Sequence, residues 1–169
     1  VGFRCIPAWE AGDGGPLVMD YTALTASYLG VPSGLGLDRL NTATSGVAGW
    51  LAASFSVRYA VTFSLGDPTV NGTQQGPPGM TTVFTNTTVN TVDVATRVLL
   101  PVQFRTRGTA LPADTYWVQV YRSVSQNSTL GEPPSELALV YSKTIEAADI
   151  AAGYIAFTDI VPDAARGAH

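Results

Sequence analysis

The chain has 169 residues, of which 46% are apolar and only 13% charged; nine basic and thirteen acidic side chains leave a net charge of −4 at neutral pH. So apolar a composition excludes a disordered segment, and basic residues this few and scattered (eight arginines and Lys143) exclude a phosphate-backbone binder, so no sequence-specific nucleic-acid partner is expected. No apolar run approaches the roughly 20 residues of a membrane-crossing helix, and no membrane span is expected.

The chain opens at Val1 with no basic-then-apolar leader, and is expected to be a piece of a longer polypeptide. Cys5 is the sole cysteine, so neither an internal disulfide nor a cysteine-based zinc site can form within it. Residues 1–50 hold nine of the seventeen glycines, with loop punctuation at 12–16 and 31–34. Asp13 and Asp20 offer oxygen ligands, but not at the spacing of a calcium loop, and Gly34 and Gly36 lack the third glycine of a dinucleotide fingerprint. Trp9, Leu17, Met19, Tyr21, Tyr28, Leu37 and Trp50 are too much apolar surface to leave in water at about 25 cal/mol per Å². Residues 1–55 therefore read as an extended, loop-rich arm packed against a sandwich or a neighbouring subunit.

From Ser56 the pattern turns to period two. Val57, Tyr59, Val61 and Phe63 share one face and Arg58, Ala60 and Thr62 the other, which predicts a half-buried strand. Turn residues fill 66–79, and a strand returns through 81–85. The next run, 97–104, places Val98, Leu100, Val102 and Phe104 inward; Pro101 removes a ladder donor and assigns the run to an edge or a bulge. A fourth strand, 116–123, carries Tyr116, Val118 and Val120 on one side and Trp117, Gln119 and Tyr121 on the other, and the Trp117 side is expected to be covered. Strands at 136–141 and 154–159 flank a short helix between Lys143 and Gly153, with Thr144 as its cap. The sequons at Asn71, Asn86 and Asn127 mark expected surface turns. The reading is an all-β antiparallel sandwich over 56–164, with 165–169 as a tail.

Residues 59–63, the turn 76–79 and residues 82–85 resemble the last hairpin of a fibronectin type III domain, while 116–123, 136–141 and 157–159 resemble that family's central strands. The resemblance covers about half of the chain and implies an immunoglobulin/fibronectin-like sandwich. The closing hairpin precedes the central strands, so the expectation is a permuted sandwich or parts of two. The run 120–123 with the distal 157–167 is similar to segments of virion structural proteins of tailed bacteriophages, in particular tail-tube or nozzle components. This likeness implies a tail subunit segment that assembles as a homo-oligomer with other virion proteins, located in the virion tail or otherwise extracellular.

Catalytic chemistry is poorly supplied. His169, at the chain's end, is the only histidine, which removes Ser-His and Cys-His catalysis, and no glycine-rich phosphate loop precedes Lys143 and Thr144. Two carboxylate pairs, Glu132 with Glu136 and Asp159 with Asp163, have the residue types of a glycosidase, but the first reads as solvating the Pro133-Pro134 turn and Asp159 as accepting backbone hydrogen bonds in a closing turn. Trp117 and Tyr121, on one strand face, form either a sugar-stacking platform or a core or subunit contact. The expectation is a non-enzymatic structural protein with no cofactor, no metal and no catalytic residue, and no binding residue is assigned. The alternative is an adhesin-like or carbohydrate-binding module that contacts glycans, using the 66–79 loop and the 126–129 turn.

Overall fold

The computed structural model describes residues 17–20, 25–28, 31, 34, 36–37, 43–45, 48–70, 73–101, 104 and 115–167. Strands β1 (Leu17–Asp20) and β2 (Thr25–Tyr28) pair with each other as an antiparallel ladder. The remaining strands are β3 (Ala43–Ser45), β4 (Phe55–Leu65), β5 (Gln74–Gln75), β6 (Thr82–Thr85), β7 (Asp93–Leu99), β8 (Tyr116–Arg122), β9 (Gln126–Asn127), β10 (Ala138–Thr144) and β11 (Tyr154–Asp159). Helix α1 (Ala147–Ala152) joins β10 to β11.

These strands form an antiparallel two-sheet sandwich. In the larger sheet β4 is central: β8 and β9 pair along one side of it, β6 and β5 along the other, and β10 lies outside β8. The smaller sheet has the order β11-β7-β3. Residues 59–63, 82–85, 116–122 and 138–141 thus share one sheet, with β4 between β6 and β8, while 157–159 lies on β11 in the smaller sheet.

Val57, Tyr59, Val61 and Phe63 share the inward face of β4 as the alternation predicts and are fully buried against Val94, Val98, Ile155 and Phe157 of the smaller sheet. The strand is not half-buried, however: Ala60 and Thr62 on the other face are buried as well, because β4 is the central strand, and only Arg58 of that face is partly exposed. At about 1.5–3 kcal/mol for each fully buried large apolar side chain, this interior is the dominant stabilising contribution. At one end the rings of Phe63, Phe104 and Tyr116 meet in sequence at 5.3 and 5.1 Å between centroids. Tyr141 against Phe157, at 4.6 Å, bridges the two sheets at the β10/β11 side.

The 97–104 run is corrected. The strand occupies Asp93–Leu99, with Val94, Thr96 and Val98 inward, and lies in the middle of its sheet rather than at an edge. Pro101 falls beyond it, where its carbonyl accepts from the Phe104 N–H in a turn, so the missing donor costs the ladder nothing. Val102 lies outside the described residues. The helix is capped two residues later than expected: β10 runs through Thr144, Glu146 takes the cap position with its N–H donating to the Asp149 carboxylate, and Gly153 closes the helix at φ 77°.

Part of the arm belongs to the sandwich. Leu37 bridges to Val98, β3 extends the smaller sheet beside β7, and Leu51 pairs with Val92. Val31, Leu37 and Leu51 are buried in the shared core. At the far side of β4 the chain crosses through Gly34, whose Cα faces the Val61 carbonyl and the Gly79 backbone so closely that a Cβ on either glycine would overlap main-chain atoms. Trp9, His169, Cys5 and Asp13 lie outside the described residues.

Candidate functional site

The most densely connected polar group in the described structure lies between the sheets at the end where β4 begins and β8 and β11 finish. It follows from strand parity. Arg122 continues the inward row of Val118 and Val120, Asp159 that of Ile155 and Phe157, and Tyr59 that of Val57 and Val61, so all three point into one interior. Register then brings them together, since Tyr59 stands opposite Arg122 and Asp159 opposite Val94.

Arg122 and Asp159 are both fully buried and paired, with Nη1 donating to Oδ2 at 2.5 Å. The same Oδ2 accepts from the Tyr59 hydroxyl at 2.7 Å, and Oδ1 accepts from the Val161 N–H at 3.0 Å. Arg122 Nη2 donates to Asp163 at 3.1 Å, and Asp163 accepts in turn from the Ser125 N–H and hydroxyl. Arg166 donates to the Arg122 carbonyl, and the Trp50 ring lies over the guanidinium at 3.5 Å while its indole N–H donates to the Asp159 carbonyl at 2.8 Å. Burial, then the neighbouring Asp159 charge and hydrogen bond, push the Tyr59 hydroxyl well above its ordinary value, against the opposing pull of Arg122.

Asp159 and Asp163 therefore converge, but on a cation. Both are occupied by protein donors, and Asp159 has no exposure to any substrate. Asp159 accepts backbone N–H in the closing turn as expected, and the buried ion pair adds to that role. Glu132 is exposed and bonds Arg58 at 2.7 Å instead of pairing with Glu136. Among the described residues no three His, Cys, Asp or Glu side chains gather as metal ligands, and no helix is long and apolar enough to cross a membrane. Asp20 is on β1; its side chain lies outside the description.

A second candidate lies on the outer face of the larger sheet. Trp117, Gln119 and Tyr121 form a row on β8, opposite Ser64, Thr62 and Ala60 of β4. Gln119, Thr62, Ser64 and Ala60 are buried, while Trp117 and Tyr121 are half-buried. The exposed Gln75 amide reaches Gln119 Oε1 at 2.7 Å and Thr62 at 3.2 Å. Nearby turns are internally bonded: Asp67 accepts from the Thr69 N–H and hydroxyl, which holds its carboxyl below the usual range, and Asn127 does the same for Thr129.

The sequon reading is corrected at Asn86. This residue is fully buried, with its amide donating to the Leu51 and Asn90 carbonyls and its oxygen accepting from Thr88. It is a corner brace rather than a surface turn. Asn71 lies outside the described residues, and Asn127 ends β9, caps the short turn Ser128–Leu130 and is half-buried.

No protein-family model, curated protein or solved structure matches the chain.

Proposed function

We propose that the chain is a non-enzymatic assembly module, a β-sandwich segment of a tailed-phage virion structural protein of the tail. One observation carries the structural reading: the two carboxylates the sequence offers as a catalytic pair, Asp159 and Asp163, are both committed to Arg122, and the Asp159 pair ties the smaller sheet to the larger. Exposed large apolar side chains support assembly: Val89, Leu130 and Ile160 lie at the end of the sandwich that carries the Arg122 cluster, and Val70 and Met80 lie in connections elsewhere. The strand order also supports an immunoglobulin-type sandwich. In the larger sheet β4, β6, β8 and β10 take the places of strands C, C′, F and G, with β3 and β7 as B and E facing them, while β11 takes the place of strand D beside E although it follows G in the chain.

Mass spectrometry of purified virions, with immunogold imaging of this chain, tests the proposal. The chain is expected in stoichiometric amount along the tail; its absence from intact particles overturns the virion reading.

A second reading, a glycan-contacting extracellular module, is favoured by the Trp117-Gln119-Tyr121 row, where two aromatic side chains flank an amide network reached by Gln75. Glycan-array binding that disappears in Trp117→Ala and Gln75→Ala would replace the assembly reading.

A further inference from the structure

Edge strands expose unpaired backbone groups, and proteins that must not associate blunt them. Three edges of this sandwich are blunted. β3 and β6 are only three and four residues long. β10 is interrupted by a register shift between Leu139 and Tyr141, its Leu139 carbonyl is taken by the Gly167 N–H at 2.8 Å, and Lys143 on it is tied to Glu146 and Asp149.

β11 has none of these devices. It runs six residues in unbroken register with β7, contains no proline, and its one charged residue, Asp159, is turned inward. The phase of its ladder is set by the Leu100 N–H donating to the Gly153 carbonyl at 3.1 Å, and by the Leu99 N–H pointing the other way, to Gly36. In an antiparallel pair alternate residues face the partner. Ile155, Phe157 and Asp159 therefore exchange bonds with β7, and Tyr154, Ala156 and Thr158 direct their N–H and C=O groups to the open side, where no described residue meets them. Ala156 and Thr158 are exposed.

We infer that the β11 edge pairs with β11 of a second copy of this chain, antiparallel about a two-fold axis at Ala156. The strand is complementary to itself in this register. Ala156 faces Ala156, and Tyr154 faces Thr158 of the second copy, each pair exchanging two backbone bonds. No like charges meet across the axis, and a hollow of about 310 Å³, lined by Ala95, Ala156 and Thr158 and by Arg97, whose guanidinium lies 4.3 Å over the Tyr154 ring of its own chain, sits beside the edge within diagonal reach of the incoming Tyr154. The result is one sheet running β3-β7-β11 through the axis into β11-β7-β3. This pairing deepens the assembly reading by naming its partner.

Sedimentation velocity of the 169-residue chain across a concentration series tests it. A dimer is expected, and a chain that stays monomeric throughout refutes the edge pairing while leaving incorporation into virions to its own test. Ala156→Pro removes an outward N–H without touching the β7 ladder, and is expected to be monomeric with an unchanged β-sheet spectrum. Ala156→Lys keeps the backbone donors and sets like charges opposite each other at the axis; it is expected to weaken the dimer at least tenfold at low salt and to recover partly at high salt. If the folded Lys variant dimerises like the parent, the register is wrong. Register is read directly in a Cys5→Ser background: Ala156→Cys should form a disulfide-linked dimer, because opposed narrow-pair Cα atoms lie about 5.5 Å apart. Thr158→Cys, which faces Tyr154, should not, and equal cross-linking by both would overturn the inference.

Discussion

The Arg122 guanidinium and the Asp159 carboxylate meet at 2.5 Å from opposite sheets, with both side chains fully buried. A buried ion pair gains little over apolar groups of the same volume, but removing one partner strands the other charge, at a cost of about 3–5 kcal/mol. Arg122→Met is expected to destabilise the chain by about that amount in urea titration. Arg122→Met combined with Asp159→Leu should cost clearly less than the sum of the two single changes, and strict additivity would refute the coupling.

The geometry behind that pair was partly legible in the residues. Alternation along 57–63, 116–122 and 154–159 assigns Tyr59, Arg122 and Asp159 to the same faces as their apolar neighbours, so parity alone points all three inward. What alternation cannot supply is the partner: a charged residue ending an aromatic strand reads as solvent-facing until the register puts Asp159 beside it. Asn86 was misread for a related reason, since Asn in a Thr-rich turn has the composition of an exposed loop whether or not its amide braces Leu51. The run before Pro101 was read too late in the chain because Asp93, Ala95 and Arg97 break up the apolar signal of a strand whose inward residues are Val94, Thr96 and Val98. The open side of β11 has no signature in composition at all; it emerges only from the register with β7.

Tyr59 gives a pH test of the same cluster. Its hydroxyl donates to Asp159, and burial first, then that negative charge, place its folded-state pKa well above the ordinary value of 10.0. Because the unfolded chain releases this proton first, the stabilisation is fully present below about pH 10 and is lost as the pH rises beyond it. Tyr59→Phe should cost about 1.5–3 kcal/mol near neutrality, for a lost hydrogen bond to a charged acceptor. Its urea midpoint should then fall less steeply than the parent's between about pH 9 and 11. A parallel decline in both would show that Tyr59 is not the titrating group.

Asn86 predicts a large effect from a small, neutral side chain. Asn86→Ala removes the amide's bonds to the Leu51 and Asn90 carbonyls and the oxygen's bonds from the Thr88 N–H and hydroxyl at a fully buried corner; the Leu51 carbonyl keeps the Val92 N–H, and the total cost is about 1–3 kcal/mol. Expressed in a glycosylating host, the folded chain should carry no sugar at Asn86. Occupancy there, found by peptide mass spectrometry, would contradict its burial.

Gly34 and Gly79 predict a steric effect. A Cβ at either position would overlap the backbone of the other strand segment, and no rotamer relieves a clash at Cβ itself. Gly79→Ala should therefore cost about 1–3 kcal/mol and lower the melting temperature by several degrees in a domain of this size. Gly131→Ala, which meets no atom within 4 Å but sits at φ 110°, isolates the backbone part of such a penalty from the steric part. Equal melting shifts for the two variants would mean that the close crossing at Gly34 and Gly79 does not exist.

Ser54 offers the opposite sign. It is the only non-glycine among the described residues with positive φ, at 61°, and it is pinned there on both sides: its N–H donates to the Asn86 carbonyl and its carbonyl accepts from Ser128. Left-handed backbone costs an L-residue roughly 1–2 kcal/mol, whereas glycine adopts it freely at some entropic cost to folding. The side chain is exposed and its replacement leaves no cavity. Ser54→Gly is thus expected to stabilise the chain by about 0.5–1 kcal/mol, and Ser54→Val, whose branched Cβ fits this region worst, to destabilise it by more than that. Paired thermal melts of the two variants decide the matter: if glycine melts lower than the parent, the turn at 51–54 does not hold the conformation that lets Asn86 close the corner.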